Sequence, residues 1–337
     1  MARQVRVLVV DDSAFYRKRI RQCLEQSPEI RVVGEAADGA EAQRLNRELA
    51  PDLVTMDVVM PVMDGIEAVR RLMRDRPVPV VMFSSFTREG ARATLEALEA
   101  GAVDFVPKLS SANDAEAAGC ALRERVLELT RRKGEATARP EPVAPAPRRP
   151  ARPRLLVIGA STGGPMAVQQ ILAALPGDYP VPILVVIHMP GTFTPAYAER
   201  LDAACALQVR EAADGLPLRP GQVLVAPGGR QTLVDGGAEL RVRVTDEAGQ
   251  LYRPCLDLTL GSVAERVGAD ALGVVLTGMG SDGLEGARRL RAAGGHLWAQ
   301  DEASSVVYGM PAAVARAGLV ERVLPLDAFA AQLREIT

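Results

Sequence analysis

Residues 154–165, RLLVIGASTGGP, decide how the C-terminal half of the chain is read. A short apolar run breaks at Gly159, and one serine stands among small residues. A buried strand that turns into a helix in this way is the repeating unit of an α/β domain. Two jobs suit such a turn: cradling a phosphate or presenting a nucleophile. The spelling G-x-S-x-G over Gly159–Gly163 fits the second job. A phosphate loop would add a Lys-Ser or Lys-Thr pair, and a dinucleotide site would add G-x-G-x-x-G and an acidic residue after the next strand. The chain has none of these here, because the next apolar run, Ile183–Ile187, leads into His188.

The same texture extends outward in both directions. VRVLVV, IRVVGEA, DLVTMD, VPVVMFS and DFVPK read as five strands in the N-terminal part. RLLVIG, VPILVVI, LQVREA, QVLVAP, ALGVVLT and HLWAQ read as strands in the C-terminal part, and RVRVTD after Gly236-Gly237 reads as part of a hairpin. Apolar runs alternating with amphipathic segments predict parallel sheets with crossover helices, so the fold class is α/β, with a doubly wound and mainly parallel sheet in the second part. Between them GEATARPEPVAPAPRRPARP replaces periodic apolar residues with proline, alanine and charge, which favours an extended tether. The expected organisation is a domain at 1–132, a proline-rich linker at 133–152 and a second domain at 153–337. A net charge of −2 gives no global pull toward nucleic acid, and residues 153–337 show neither a basic face nor a helix-turn-helix. No apolar run approaches the length of a spanning segment, and the start MARQVRVLVVDDS does not read as a signal peptide, so a cytoplasmic location without membrane insertion is expected. Four cysteines without CxxC spacing read as free thiols in a reducing compartment.

Asp11 and Asp12 follow the first strand and Asp57 ends the third. Carboxyl ends of parallel strands share one edge, so the three carboxylates should converge on one crevice, where a divalent cation relieves their repulsion. All-oxygen ligands favour Mg²⁺. Ser84 after the fourth strand and Lys108 after the fifth reach the same edge. A carboxylate nucleophile, a metal, a fixed cation and a hydroxyl suit in-line phosphoryl transfer onto Asp57. Taken singly, each aspartate also suits a helix N-cap and Lys108 a solvated surface charge. The ordered set VVDDS, TMDVVMPVMDG, FSS and FVPK resembles the response-regulator receiver domain across residues 4–125. The resemblance implies a flavodoxin-like fold and a phosphoryl group received from a sensor histidine kinase. It also implies Mg²⁺ held by Asp11, Asp12, Asp57 and the carbonyl of Val59, with Ser84 and Lys108 on the phosphoryl oxygens. Phe105 falls at the family's aromatic switch position, or is simply a core residue.

With only two histidines in the chain, His188 at the end of a buried strand is conspicuous. It lacks neighbours with metal-ligand spacing, and a lone histidine is also commonly satisfied by backbone. In ALGVVLTGMGSDG a third strand ends at Thr277, and Asp282 follows near the start of a helix, where it suits an N-cap as well. Ser161, His188 and Asp282 thus each follow a different strand at one edge of one sheet. A serine alcohol needs a base to take its proton, and the imidazole needs a carboxylate to fix its tautomer. Amides after Ser161 and in the turn Gly278-Met279-Gly280 suit an oxyanion. The order Ser, His, Asp differs from the Ser, Asp, His order of α/β-hydrolases.

IGASTGGP, VVIHMP followed by TFTPAYAERL, VLVAPGG, VVLTGMGSDG and AQDEASSVVYGMP together resemble the catalytic domain of chemotaxis protein-glutamate methylesterase, over 154–335. The resemblance implies hydrolysis of glutamate γ-methyl esters on methylated chemoreceptors, and deamidation of receptor glutamines, without a cofactor in this domain. Ser161 would be the nucleophile, His188 the base, Asp282 its orienting partner, with Thr162 and the Met279 amide at the oxyanion. Gln231, where the family usually has histidine, and Cys255, where it usually has serine, depart from the pattern and bear on substrate preference. A phospho-regulated binding module and a generic hydrolase of small esters are the rival readings.

Overall fold

A computed structural model describes residues 3–84, 87–108, 112–131, 152–247 and 249–336. The chain divides into two compact units, Met1–Glu135 and Ala136–Thr337. Apart from Arg152, the linker expected at 133–152 lies outside the described residues.

In the first unit the strands are β1 (Val5–Val10), β2 (Ile30–Ala36), β3 (Leu53–Asp57), β4 (Val80–Ser84) and β5 (Asp104–Pro107). They alternate with α1 (Ala14–Leu24), α2 (Gly39–Leu49), α3 (Gly65–Asp75), α4 (Arg88–Glu99) and α5 (Ala112–Thr130). The sheet is parallel, in the order β2-β1-β3-β4-β5. Every residue of β3 is buried because helices cover both faces of a central parallel strand. Helix starts follow local chemistry. The Asp38 carboxylate accepts the amides of Ala40 and Glu41, Asp64 accepts that of Glu67, and the Thr87 hydroxyl accepts that of Gly90. In α3 the helical spacing of Ala68, Val69 and Leu72 supplies the buried stripe.

The second unit contains β6 (Leu155–Ala160), α6 (Gly164–Ala173), β7 (Ile183–Ile187), α7 (Thr194–Ala204), β8 (Gln208–Glu211), β9 (Gln222–Val225), β10 (Gln231–Gly236), β11 (Leu240–Thr245) and α8 (Leu256–Arg266). It continues through β12 (Ala271–Val275), α9 (Leu284–Ala292), β13 (His296–Gln300), α10 (Met310–Arg316), β14 (Arg322–Leu324) and α11 (Phe329–Glu335). Seven parallel strands run in the order β14-β13-β12-β6-β7-β9-β8, and β10 and β11 form the separate antiparallel hairpin expected around Gly236-Gly237. All six strands expected in the sheet are present, and the short β14 is an addition. Its three residues, RVL, are only partly buried, so they carry no apolar run to detect. Chain order reverses beside β6: β7 lies on one side and β12 on the other. That reversal opens a crevice outside the carboxyl ends of the strands. One face of the sheet packs on Leu256, Leu260 and Val263 of α8, Leu290 of α9 and Val314 of α10, with Val234 and Val242 of the hairpin. On the other side α6 is tied to α7 by the Tyr197 hydroxyl donating to Pro165 O at 2.9 Å. Among the described residues no helix is long and apolar enough to cross a membrane.

Candidate active site and acidic pocket

At the crevice of the second unit, β7, β6 and β12 lie side by side, with Ala160 opposite Ile187 and Gly159 opposite Val275. The residues just beyond are therefore delivered together. His188 donates its backbone N–H to Ala160 O at 3.2 Å, and Ser161 donates its own to Thr277 O at 3.0 Å. These two bonds join the three strand ends that carry Ser161, His188 and the 278–283 loop. Two glycines at these strand ends are explained by packing. A Cβ on Gly159 would stand 2.1 Å from Leu256 Cδ2, so the strand needs glycine for the start of α8 to reach it. A Cβ on Gly278 would stand 2.4 Å from Met310 Sδ and 2.9 Å from Ser161 Cβ, so only glycine lets this turn pass over the serine.

His188 Nε2 lies 2.7 Å from Asp282 Oδ2, with both side chains buried. The other ring nitrogen, Nδ1, is buried with no hydrogen-bond partner. A base reading of this ring therefore falls on Nδ1. The Tyr252 ring stacks on the imidazole with centroids 4.1 Å apart and planes within 3°.

The structure corrects the N-cap expectation for Asp282. Its carboxylate does bond the next amide, Gly283 N–H at 3.0 Å, but its other amide partners belong to a different helix. Oδ2 accepts from Leu256 N at 2.8 Å and Oδ1 from Asp257 N at 3.0 Å, which are the first amides of α8. Asp257 returns the arrangement, accepting Gly286 N in the first turn of α9 at 2.7 Å. Each helix start is thus capped by an acid from the other, a long-range pairing in place of the usual local one. Burial alone would raise the pKa of Asp282, but the His188 bond and charge and the α8 amides outweigh it and hold the carboxyl below its ordinary range. Cys255 donates its thiol to Asp282 Oδ1 at 3.2 Å. Burial, then the Asp282 charge, pushes that thiol up to about 12, so it stays protonated at neutral pH.

The remaining expected residues fall around this core. Thr162 is buried, and its carbonyl accepts from the Thr277 hydroxyl at 2.9 Å. Met279 is half-buried on the turn beyond Thr277. Gln231 is fully buried: its Nε2 donates to Tyr252 O at 2.9 Å and its Oε1 accepts from Cys255 N at 2.8 Å. Tyr252 was not among the residues expected from sequence. It lies in LYRPCLD, outside any periodic element, and only the fold brings it to His188.

In the first unit the carboxylates of Asp11, Asp12 and Asp57 lie within 4.8 Å of one another. Lys108 Nζ sits 2.7 Å from both Asp11 Oδ2 and Asp57 Oδ2, and 4.7 Å from the centroid of the Tyr16 ring. Asp57 also accepts the Val58 amide at 2.7 Å. Burial raises the Asp57 pKa, and the Asp11 charge adds to the rise against the pull of Lys108. Burial alone would lower Lys108, but its two carboxylate partners raise it. An all-oxygen acidic cluster of this kind fits Mg²⁺. Val59 follows two residues after Asp57, with its side chain 75% exposed. Phe105 is buried in β5. Ser84 ends β4, and its side chain lies outside the described residues.

A parallel sheet closing on an acidic pocket, joined in one chain to a parallel sheet closing on a histidine–carboxylate pair, defines a response regulator with an α/β enzyme as its output. Comparison with known proteins gives the particular family. The response regulator receiver domain family matches residues 7–118, and the CheB methylesterase family matches residues 156–333. The chain is 47% identical over 388 residues to a protein-glutamate methylesterase/protein-glutamine glutaminase of Alkalilimnicola ehrlichii, covering 99% of this chain and all of the relative. It is 44% identical to a similarly named protein of Vibrio cholerae, covering 98% of each. The crystal structure of the Thermotoga maritima CheB methylesterase catalytic domain matches with a TM-score of 0.54 and 37% identity, covering 55% of this chain and 99% of that one. The chain belongs to the CheB methylesterase family and carries a receiver domain.

Proposed function

We propose that the chain hydrolyses glutamate γ-methyl esters on chemoreceptors, and deamidates glutamines there, under control of phosphorylation at Asp57. Ser161, His188 and Asp282 carry the chemistry. The observation that most supports this is the His188 ring, tied to Asp282 through Nε2 with Nδ1 buried and holding no hydrogen bond, at the end of a strand paired with the one that leads into Ser161. Ser161 Oγ attacks the ester carbonyl as Nδ1 takes its proton. The imidazolium then gives that proton to the departing methoxide, which leaves as methanol. Water repeats the sequence on the acyl-enzyme, with Nδ1 as base, and releases the glutamate carboxylate and the free serine. Amides at Thr162 and Met279 receive the oxyanion, and losing one such donor costs about 3 kcal/mol in the barrier. Deamidation follows the same course with ammonia leaving, which is slower because ammonia is the poorer leaving group.

In the receiver, Asp57 takes a phosphoryl group from a sensor histidine kinase. Asp11, Asp12 and the Val59 carbonyl would hold Mg²⁺, and Ser84 and Lys108 would contact the phosphoryl oxygens, with Phe105 as the switch residue. When bound, the ion offsets the charge of the carboxylates and of the incoming group. Three segments, 1–132, 133–152 and 153–337, serve as receiver, tether and esterase, and the unphosphorylated receiver restrains the esterase, whose open population phosphorylation raises. The test is methanol release from methyl-labelled receptor membranes by wild type and Asp57→Asn, with and without a small phosphodonor. Stimulation of wild type alone is expected. Equal release in all four cases removes the regulatory reading, and no release at all removes the esterase reading.

A further inference from the structure

The His188–Asp282 bond fixes one atom of the imidazole and leaves the tilt of the ring about its Cβ–Cγ bond to whatever packs on its faces. That tilt decides where Nδ1 points. Tyr252 lies flat on the ring at 4.1 Å and 3°, so tilting the ring drives an imidazole edge into the phenol face. The tyrosine is itself held. Gln231, fully buried, donates to its carbonyl and accepts from the Cys255 amide, so one side chain fixes both ends of the segment from Tyr252 to Cys255. Gly229 N–H adds a bond to Arg253 O at 3.0 Å. The neighbours Leu251 (86% exposed) and Arg253 face solvent, so Tyr252 is the residue this surface loop turns inward. Its hydroxyl reaches the glycine turn, 3.3 Å from where a Cβ on Gly280 would stand. The ring therefore spans from the imidazole to the turn that carries Met279.

We propose that Tyr252 is a positioning residue of the esterase, a shelf that locks the His188 ring with Nδ1 toward Ser161, and that Gln231 fixes the shelf. The proposal rests on the Ser161–His188–Asp282 reading. The stacked face does the work, so phenylalanine should replace tyrosine and alanine should not.

The test is labelling of Ser161 in the full-length protein by a fluorophosphonate, a probe that reports nucleophile activation without assuming the natural substrate. Tyr252→Ala should lower the maximal labelling rate by about 100-fold, as expected for a misplaced catalytic group, with the half-saturating probe concentration nearly unchanged. Tyr252→Phe should restore most of the rate. Gln231→Leu keeps the ring but frees its backbone, and should fall between them. In ¹⁵N spectra the His188 ring nitrogens should keep their wild-type shifts in Tyr252→Phe and move in Tyr252→Ala. Undiminished labelling in Tyr252→Ala and in Gln231→Leu overturns the proposal. So does equal loss in Tyr252→Phe and Tyr252→Ala, or a loss carried entirely by probe binding. Failure of the wild-type protein to label at Ser161 overturns the triad reading and this proposal together, whereas a labelled wild type with unaffected variants overturns this one alone.

Discussion

Asp57 and Asp282 are both buried at the carboxyl edge of a parallel sheet, beside the strand where chain order reverses, yet their surroundings move them in opposite directions. Burial raises Asp57, and the nearby Asp11 carboxylate adds to that rise. Asp282 is held low despite burial, because a histidine and the first amides of α8 converge on it. The first carboxylate sits in a pocket with surplus negative charge that an added cation relieves. The second has its compensation built in, from backbone amides and the positive end of a helix dipole, and stays ionised unaided. One kind of edge thus serves two chemistries, and the difference lies in what else the fold brings to the carboxylate.

The comparison can be broken most severely at the base and nucleophile. Ser161→Ala and His188→Ala are each expected to lower ester hydrolysis by about 10⁴-fold or more, while urea midpoints stay near wild type. Substantial methanol release by His188→Ala would remove the second edge from the class of catalytic sites. Next in size is Asp282→Ala, which strips the α8 amides of their acceptor as well as the histidine of its partner. A stability loss of about 2 kcal/mol is expected at neutral pH, together with loss of turnover. The sign with pH follows from the depressed pKa of Asp282. The stabilisation by Asp282 is complete above the unfolded carboxyl value of about 3.9 and is lost as pH falls through the lower folded value. Urea midpoints of wild type and variant should therefore converge in acid, and a gap that persists below that range contradicts an ionised Asp282.

Asp57→Asn sharpens the contrast, because a raised carboxyl is a net liability when charged. Without Mg²⁺ at neutral pH this variant should be at least as stable as wild type, and a drop comparable to that of Asp282→Ala would erase the distinction. The smallest effect is expected from Cys255→Ser, which keeps a donor to Asp282. Its urea midpoint should correspond to a change under about 1 kcal/mol, with methanol release within a few-fold of wild type.

Much of this was legible in the chain because parallel sheets place successive strand ends on one edge. Asp11, Asp57 and Lys108, and separately Ser161, His188 and Asp282, each follow an apolar run, so their convergence could be argued from order alone. What could not be read depends on how α8 and α9 meet. Asp282 looks like a local cap for α9, and nothing in its neighbourhood says that it serves Leu256 and Asp257, some 25 residues earlier. Gln231 and Cys255 stood out only against a family pattern, and their joint hold on the Tyr252 segment needs a buried amide contact between a hairpin strand and a loop. Tyr252 has polar and exposed neighbours and no periodicity to mark it. The polar contacts that set the geometry of the second site are long-range, and hydrophobic spacing does not encode such contacts.

The exchanged caps of α8 and α9 carry a consequence for local motion. Fraying the first turn of either helix removes an acceptor from the other, so the two starts open together or not at all. The amides of Leu256, Asp257 and Gly286 then share one opening event, and Asp282 leaves His188 only when that whole unit lets go.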